Sequence, residues 1–104
     1  MGKQNLYKVS TETDIQDFLV DNKDWSYSED KLKANFELPS FVAAVAAINK
    51  IFAVSAQMDH HPRVTNIYNR LELSLCTHSV GNKVTSYDIE LAKEISRAVT
   101  LGAD

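Results

Sequence analysis

Cysteine is nearly absent from this chain: Cys76 is the only one. A lone thiol excludes an internal disulfide framework and fits a reducing compartment, so the cytoplasm is the expected location. An excess of basic charge is also missing. The formal charge is −3, with the lysines and arginines scattered, which leaves no electrostatic footprint for nucleic acid or for an anionic membrane surface. The opening Met1–Leu6 lacks the apolar stretch of a signal peptide and the Ser or Thr of a myristoylation signal, and no window is expected to approach the 18 to 20 apolar residues of a membrane span. The chain is expected to be soluble. Hydrophobic residues at 44% and charged residues at 24% suggest neither disorder nor a fibrous repeat. With 104 residues there is room for a single hydrophobic core, so residues 1–104 are read as one domain.

Local signals divide the chain into seven elements. Thr11 with Asp14 three residues on forms a capping-box-like start for a helix to about Lys23, with Ile15, Phe18 and Leu19 on one face. Trp25 opens a short extended run, Ser28-Glu29-Asp30 reads as a polar turn, and Leu32, Ala34, Phe36 and Leu38 alternate as in a strand, so a hairpin is predicted. Ser40 is a good N-cap for a long helix in which Phe41, Val45, Ile48 and Phe52 recur at helical spacing. That helix should end before Asp59-His60-His61-Pro62, because proline lacks a backbone donor and biases its predecessor away from helical geometry. An extended region is then expected from Ile67, with Leu71, Leu73 and Leu75 on one face and Glu72, Ser74, Cys76 and His78 on the other. Gly81-Asn82 signals a turn. Thr85 with Asp88 offers a second capping box, opening a last helix striped by Ile89, Ala92, Ile95 and Val99 and stopping near Gly102. Strands in adjacent pairs exclude a doubly wound parallel sheet; the predicted class is α+β, a four-stranded antiparallel sheet with three helices on one face, in the order α-β-β-α-β-β-α. The uncovered face is available to a partner subunit, and a homodimer or homotetramer is expected.

Three histidines are present, His60, His61 and His78, and all fall at element ends rather than in apolar stripes. Imidazole titrates near pH 6.5 and both gives and takes protons near neutrality, as the removal of water across a carbon–nitrogen framework requires. Other readings stand beside this one. A His-His-Pro corner serves equally as turn chemistry, and a strand-end His78 as a surface residue. Three histidines with an open position suit a catalytic zinc. Adjacent residues in an extended backbone point to opposite faces, however, so His60 and His61 are poorly placed to share an ion, and no metal is expected. Cys76 has no local feature beyond His78 to lower its pKa and reads as a buried or edge-strand thiol. Asp59 and Asp88 could orient imidazoles, with the capping role favoured for Asp88. Tyr68 and Asn69 could hydrogen-bond a heterocycle, yet both also suit a strand after a turn.

The string Asp59-His60-His61-Pro62, followed by Asn66-Ile67-Tyr68-Asn69 and by Leu73-Ser74-Leu75-Cys76-Thr77-His78, resembles the signature of the pterin-4a-carbinolamine dehydratase family. The resemblance continues through Thr85, Asp88-Ile89 and Leu91-Ala92, and more weakly back to Trp25, Phe36 and Phe41. It implies the same four-stranded, three-helix fold, dimeric or tetrameric assembly, and neither metal nor organic cofactor. It also implies a reaction, the dehydration of a 4a-hydroxytetrahydropterin to the quinonoid dihydropterin, which recycles the cofactor of aromatic amino acid hydroxylases. Carried over by position, the resemblance makes His60 and His78 the acid–base pair and His61 chiefly a binder of the pterin, with Asp59, Pro62 and Thr77 in the same pocket. The sequence departs from the family pattern at Ala56, where many members carry glutamate, at Val64, where many carry an aromatic residue, and in a His78–Asp88 loop one residue longer. Those departures motivate an alternative function of the same fold, a non-catalytic module that binds a partner protein and stabilises its oligomer. A metal-dependent hydrolase is a third possibility, motivated by histidine count alone.

Overall fold

A computed structural model describes residues 8–103, with side chains to residue 100; Met1–Leu6, read above for targeting signals, lies outside the described residues. The first helix, α1, spans Glu12–Asp21 behind the expected capping box. The Thr11 hydroxyl accepts the Asp14 N–H and the Asp14 carboxylate accepts the Thr11 N–H, both at 3.0 Å, so two of the donors left over at a helix start are satisfied. Asn22 closes the other end by donating its side-chain N–H to the Phe18 carbonyl at 2.8 Å. Ile15 and Phe18 are buried and Leu19 packs at the margin of the core.

Trp25–Ser28 and Lys31–Glu37 form strands β1 and β2, paired antiparallel with Trp25 opposite Ala34 and Ser28 opposite Lys31. Between them Glu29 and Asp30 both take left-handed backbone angles, φ 56° and 61°, the pair of angles that lets a two-residue turn follow the twist of its strands. The second hairpin is β3, Arg63–Ile67, and β4, Arg70–Leu75. The extended region expected to begin at Ile67 is therefore corrected: Tyr68 and Asn69 are the hairpin turn, with Tyr68 at φ 53°. The strand before it is an edge strand, exposed except at the half-covered Val64, so it lacks the alternation that reveals a strand in sequence. The sheet has the order β1-β2-β4-β3, antiparallel throughout. Leu32 and Ala34 of β2 and Leu71, Leu73 and Leu75 of β4 are buried against the helices. The alternate residues, Lys31, Lys33, Arg70, Glu72 and Ser74 among them, stand on the open face.

Helix α2 spans Phe41–Met58, with the Ser40 hydroxyl accepting the Ala43 N–H at 3.0 Å. Its buried face is Ala44, Ala47, Ile51 and Ser55, whereas Phe41, Val45 and Phe52 are exposed. The anticipated stripe thus points outward, with only Ile48 packed at the core margin. The reason is close packing: α2 packs against α3, Ser86–Ala103, and its buried face carries the small residues Ala44, Ala47 and Ser55, where large side chains would hold the helix away from its neighbours. A second expectation fails at the same helix. Phe41–Met58 has 18 residues and a mean hydropathy of 1.6, so by length and composition it is long and apolar enough to cross a membrane. Its apolarity is dispersed among alanines and valines around a lone Lys50 and is easily passed over. In α3, Leu91, Ala92 and Ile95 are fully buried and Val99 nearly so, while Ile89 is only half-covered.

Trp25 ties these layers together. Its indole meets Phe18 of α1 and Phe36 of β2 edge-on, each at 6.2 Å between ring centroids, and its Nε1–H donates to the Ser96 hydroxyl of α3 at 2.8 Å. An aromatic with a satisfied polar tip at such a junction contributes both area and direction.

Candidate functional site

The corner after α2 is built by its C-cap. Asp59 takes a left-handed conformation, φ 52°, and the His60 N–H returns to the Ser55 carbonyl at 3.1 Å, which reverses the chain as helix ends commonly do. That reversal sends His60 inward, where it is 6% exposed, and leaves His61 in the open. Pro62 then starts the chain into β3.

The second wall comes from the end of β4. Thr77 and Lys83 close a short loop, the Thr77 N–H donating to the Lys83 carbonyl at 2.8 Å and the Asn82 N–H to the Thr77 carbonyl at 3.0 Å. Inside it His78–Val80 makes one 3-10 turn, and Gly81 reverses at φ 79°; no atom would crowd a side chain there, so the backbone angle alone favours glycine. His78 is exposed, and its Nδ1 meets the Asn82 Oδ1 at 2.5 Å. With the amide oxygen as acceptor, Nδ1 donates a proton to it.

Asp88, in the first turn of α3 and fully buried, joins the two walls. One carboxylate oxygen lies 2.6 Å from His60 Nε2. The other accepts the Thr85 N–H at 2.8 Å and the Thr77 hydroxyl at 2.8 Å. Because a carboxylate only accepts, Thr77 must donate to it, and the Thr85 hydroxyl, 2.8 Å away, must donate to Thr77. The Tyr87 N–H in turn donates to the Thr85 hydroxyl at 3.2 Å. The expected second capping box is thus half-formed: Asp88 caps the Thr85 N–H, while the Thr85 hydroxyl accepts the Tyr87 N–H rather than the Asp88 N–H and also lies 3.4 Å from the Asp88 carboxylate, to which it can donate. Asp88 also orients an imidazole, so the two roles weighed for it coexist. Tyr87 meets the His60 ring edge-on at 5.9 Å, which fixes the ring plane as Asp88 fixes its rotation.

Asp59, His60, His61, Cys76, Thr77, His78 and Ser79 line one cavity of about 240 Å³. Residues 18 positions apart therefore share a pocket, as the sequence reading required. Pro62 is not in the lining; its place is the corner behind it. Tyr68 and Asn69 lie at the far end of β3 and β4, where the Asn69 side chain donates to the Leu38 carbonyl at 2.9 Å, away from the histidines. Ser79 and Tyr87 were not anticipated, and no local pattern marks them. Cys76 borders the cavity, and burial, then the negative charge of Asp88, pushes its thiol up from the ordinary value, the opposite of what a nucleophile needs. Among the described residues no cluster of three His, Cys, Asp or Glu side chains is placed to hold a metal ion.

An antiparallel sheet with helices on one face and a histidine-walled cavity at the end of β4, one of its two central strands, defines a small α+β class. A family model described as Pterin 4 alpha carbinolamine dehydratase matches residues 8–98, and the chain belongs to this family. It is 42% identical over 86 residues to a protein of Sulfolobus acidocaldarius, covering 83% of this chain and 93% of that one. To a protein of Opitutus terrae it is 32% identical, covering 90% and 97%. Both relatives are provisionally named pterin-4-alpha-carbinolamine dehydratases. The crystal structure of a transcriptional coactivator/pterin dehydratase from Brucella melitensis superposes with a TM-score of 0.83 at 26% identity, over 88% of this chain and 99% of that one. A pterin dehydratase-like protein described as a RuBisCO assembly factor shares the fold, with a TM-score of 0.60 at 14% identity over 72% and 86% of the two chains.

Proposed function

We propose that the chain dehydrates 4a-hydroxytetrahydropterins to quinonoid dihydropterins, in recycling of the tetrahydrobiopterin type, with imidazoles as acid and base. The observation that carries this reading is the meeting of His60, His61 and His78 on one cavity, with His60 held by Asp88 and His78 by Asn82. The reaction needs one proton delivered to the departing hydroxyl as its carbon–oxygen bond breaks, and one removed from the neighbouring ring nitrogen as the carbon–nitrogen double bond forms. Water leaves and no electrons are exchanged. His60 and His78 come from different segments bordering the same cavity, which suits them to those two transfers, and the exposed His61 is suited to bind and orient the ring. Asp59 and Thr77 complete the lining, and Pro62 supports the corner. In a stopped-flow dehydration assay His60→Ala and His78→Ala are each expected to lose about 100-fold in rate. A wild-type protein no faster than buffer would end the proposal.

The same reading includes a homodimer or homotetramer, supported by the apolar outer face of α2. That face also favours a second reading, a non-catalytic module that binds and stabilises a partner protein. Specific co-purification of a partner, with the phenotype unchanged in His60→Ala, would select it; a partnerless protein with normal turnover would reject it.

A further inference from the structure

We propose that the open face of the sheet carries an anion subsite continuous with the histidine cavity, so that the bound pterin has a phosphate or carboxylate on its side chain. The inference rests on the pterin reading of that cavity. Cross-strand register sets Lys33 of β2, Ser74 of β4 and Arg63 of β3 side by side on the open face, with Ser26 of β1 beyond Lys33. Lys33, Ser74 and Arg63 line a second cavity, of about 420 Å³, together with Lys31, Glu29 and Glu72.

The linings of the two cavities are linked along the chain. Ser74 precedes Cys76 by two residues and Arg63 follows His61 by two, about 7 Å of extended chain in each case. Cys76 borders the histidine cavity, and the charge of Lys31 reaches its thiol. Size points the same way. At about 240 Å³ the histidine cavity falls below the roughly 300–1,000 Å³ that usually encloses a small ligand, so a pterin seated there extends its arm outward.

The charges on this face decide what that arm carries. Glu29 neutralises Lys33 at 2.5 Å. Lys31 meets the Glu29 carbonyl at 3.5 Å, and its charge is shared with the Glu29 and Asp30 carboxylates. Arg63 makes no ion pair or hydrogen bond among the described residues, and its fork of donors suits a phosphate or carboxylate. Two carboxylates share the lining: Glu29, engaged by Lys33, and Glu72, which lies opposite Asn35 and Thr65 in the sheet, one row farther from the histidines than Ser74. Arg63 is therefore the cation left without a carboxylate partner among the described residues, in the row next to His61 and Cys76.

Equilibrium binding to the full chain, read by pterin fluorescence at low salt, tests this without depending on turnover. The probes are biopterin with its neutral arm, neopterin phosphate, and pteroylglutamate with its carboxylates. At least one anionic probe is expected to bind fivefold or more tightly than biopterin, and which one does so separates phosphate from carboxylate. Arg63→Glu is expected to abolish that ratio. Arg70→Glu, the same charge reversal on the same face but outside the cavity, is expected to keep it. Equal binding of all three probes, or a preference that survives Arg63→Glu or is lost equally in Arg70→Glu, overturns the subsite and leaves the pterin reading intact. Failure of every pterin to bind overturns both.

Discussion

Asp88 gives one carboxylate oxygen to His60 and the other to Thr77 and the Thr85 backbone, so one buried side chain sets both an imidazole and a helix start. In Asp88→Asn the amide keeps one acceptor and turns a donor toward groups that themselves donate. An expected loss of about 3 kcal/mol follows from leaving such buried groups unmatched, and urea unfolding measures it. Cys76 supplies an independent check. Burial and the Asp88 charge raise its thiol, so the neutral form is favoured by folding. That contribution is complete below the thiol's unfolded value and disappears as pH rises through the higher folded one. Iodoacetamide is expected to modify Cys76 more slowly than a free thiol at pH 8, and Asp88→Asn, still folded in the absence of urea, to shift the rise in rate to lower pH. An alkylation profile matching that of glutathione would contradict this.

At the level of elements, the Thr11–Asp14 box is the clearest local device. Thr11→Ala removes the hydroxyl acceptor of the Asp14 N–H, and helix caps of this type contribute about 1 kcal/mol, visible as a lower urea midpoint. The pH dependence has a definite sign. The Thr11 N–H and hydroxyl hold the Asp14 carboxyl below its ordinary value, so its contribution is present above the unfolded pKa and is lost as pH falls through the folded one. Wild type is expected to lose stability on acidification below about pH 4 more steeply than Asp14→Asn; parallel curves would refute the coupling. The element read least well is β3, because Arg63–Ile67 lies at a sheet edge with almost nothing buried and so shows no period of two. The long helix shows the complementary error. Its ends were legible from Ser40 and from the proline corner, but an alanine-rich segment carries apolar residues all round, and periodicity could not say which face would be inside.

For the whole molecule, that outer face is the main unsatisfied feature: Phe41 is 47% exposed, Val42 76% and Phe52 52%. Apolar side chains gathered on one helix face signal contact with another surface. If a homo-oligomer uses α2, Phe52→Glu is expected to reduce the mass measured by light scattering toward that of one chain while leaving the circular dichroism of the fold unchanged. An unaltered mass would move the interface elsewhere, to the open sheet or its edge strands.

The amino-acid sequence by itself set the order of elements, the two helix starts at Thr11 and Ser40, the corner at 59–62 and the turn at Gly81-Asn82, because each depends on residues within a few positions of one another. It also confined all three histidines to element ends. Tertiary structure alone decided that Asp88, 28 residues from His60, would hold its ring, that Tyr87 and Ser79 would join the site, and that the small face of α2 would turn inward. Those outcomes follow from the register of β4 in the sheet and the close approach of α2 to α3, which no local pattern encodes.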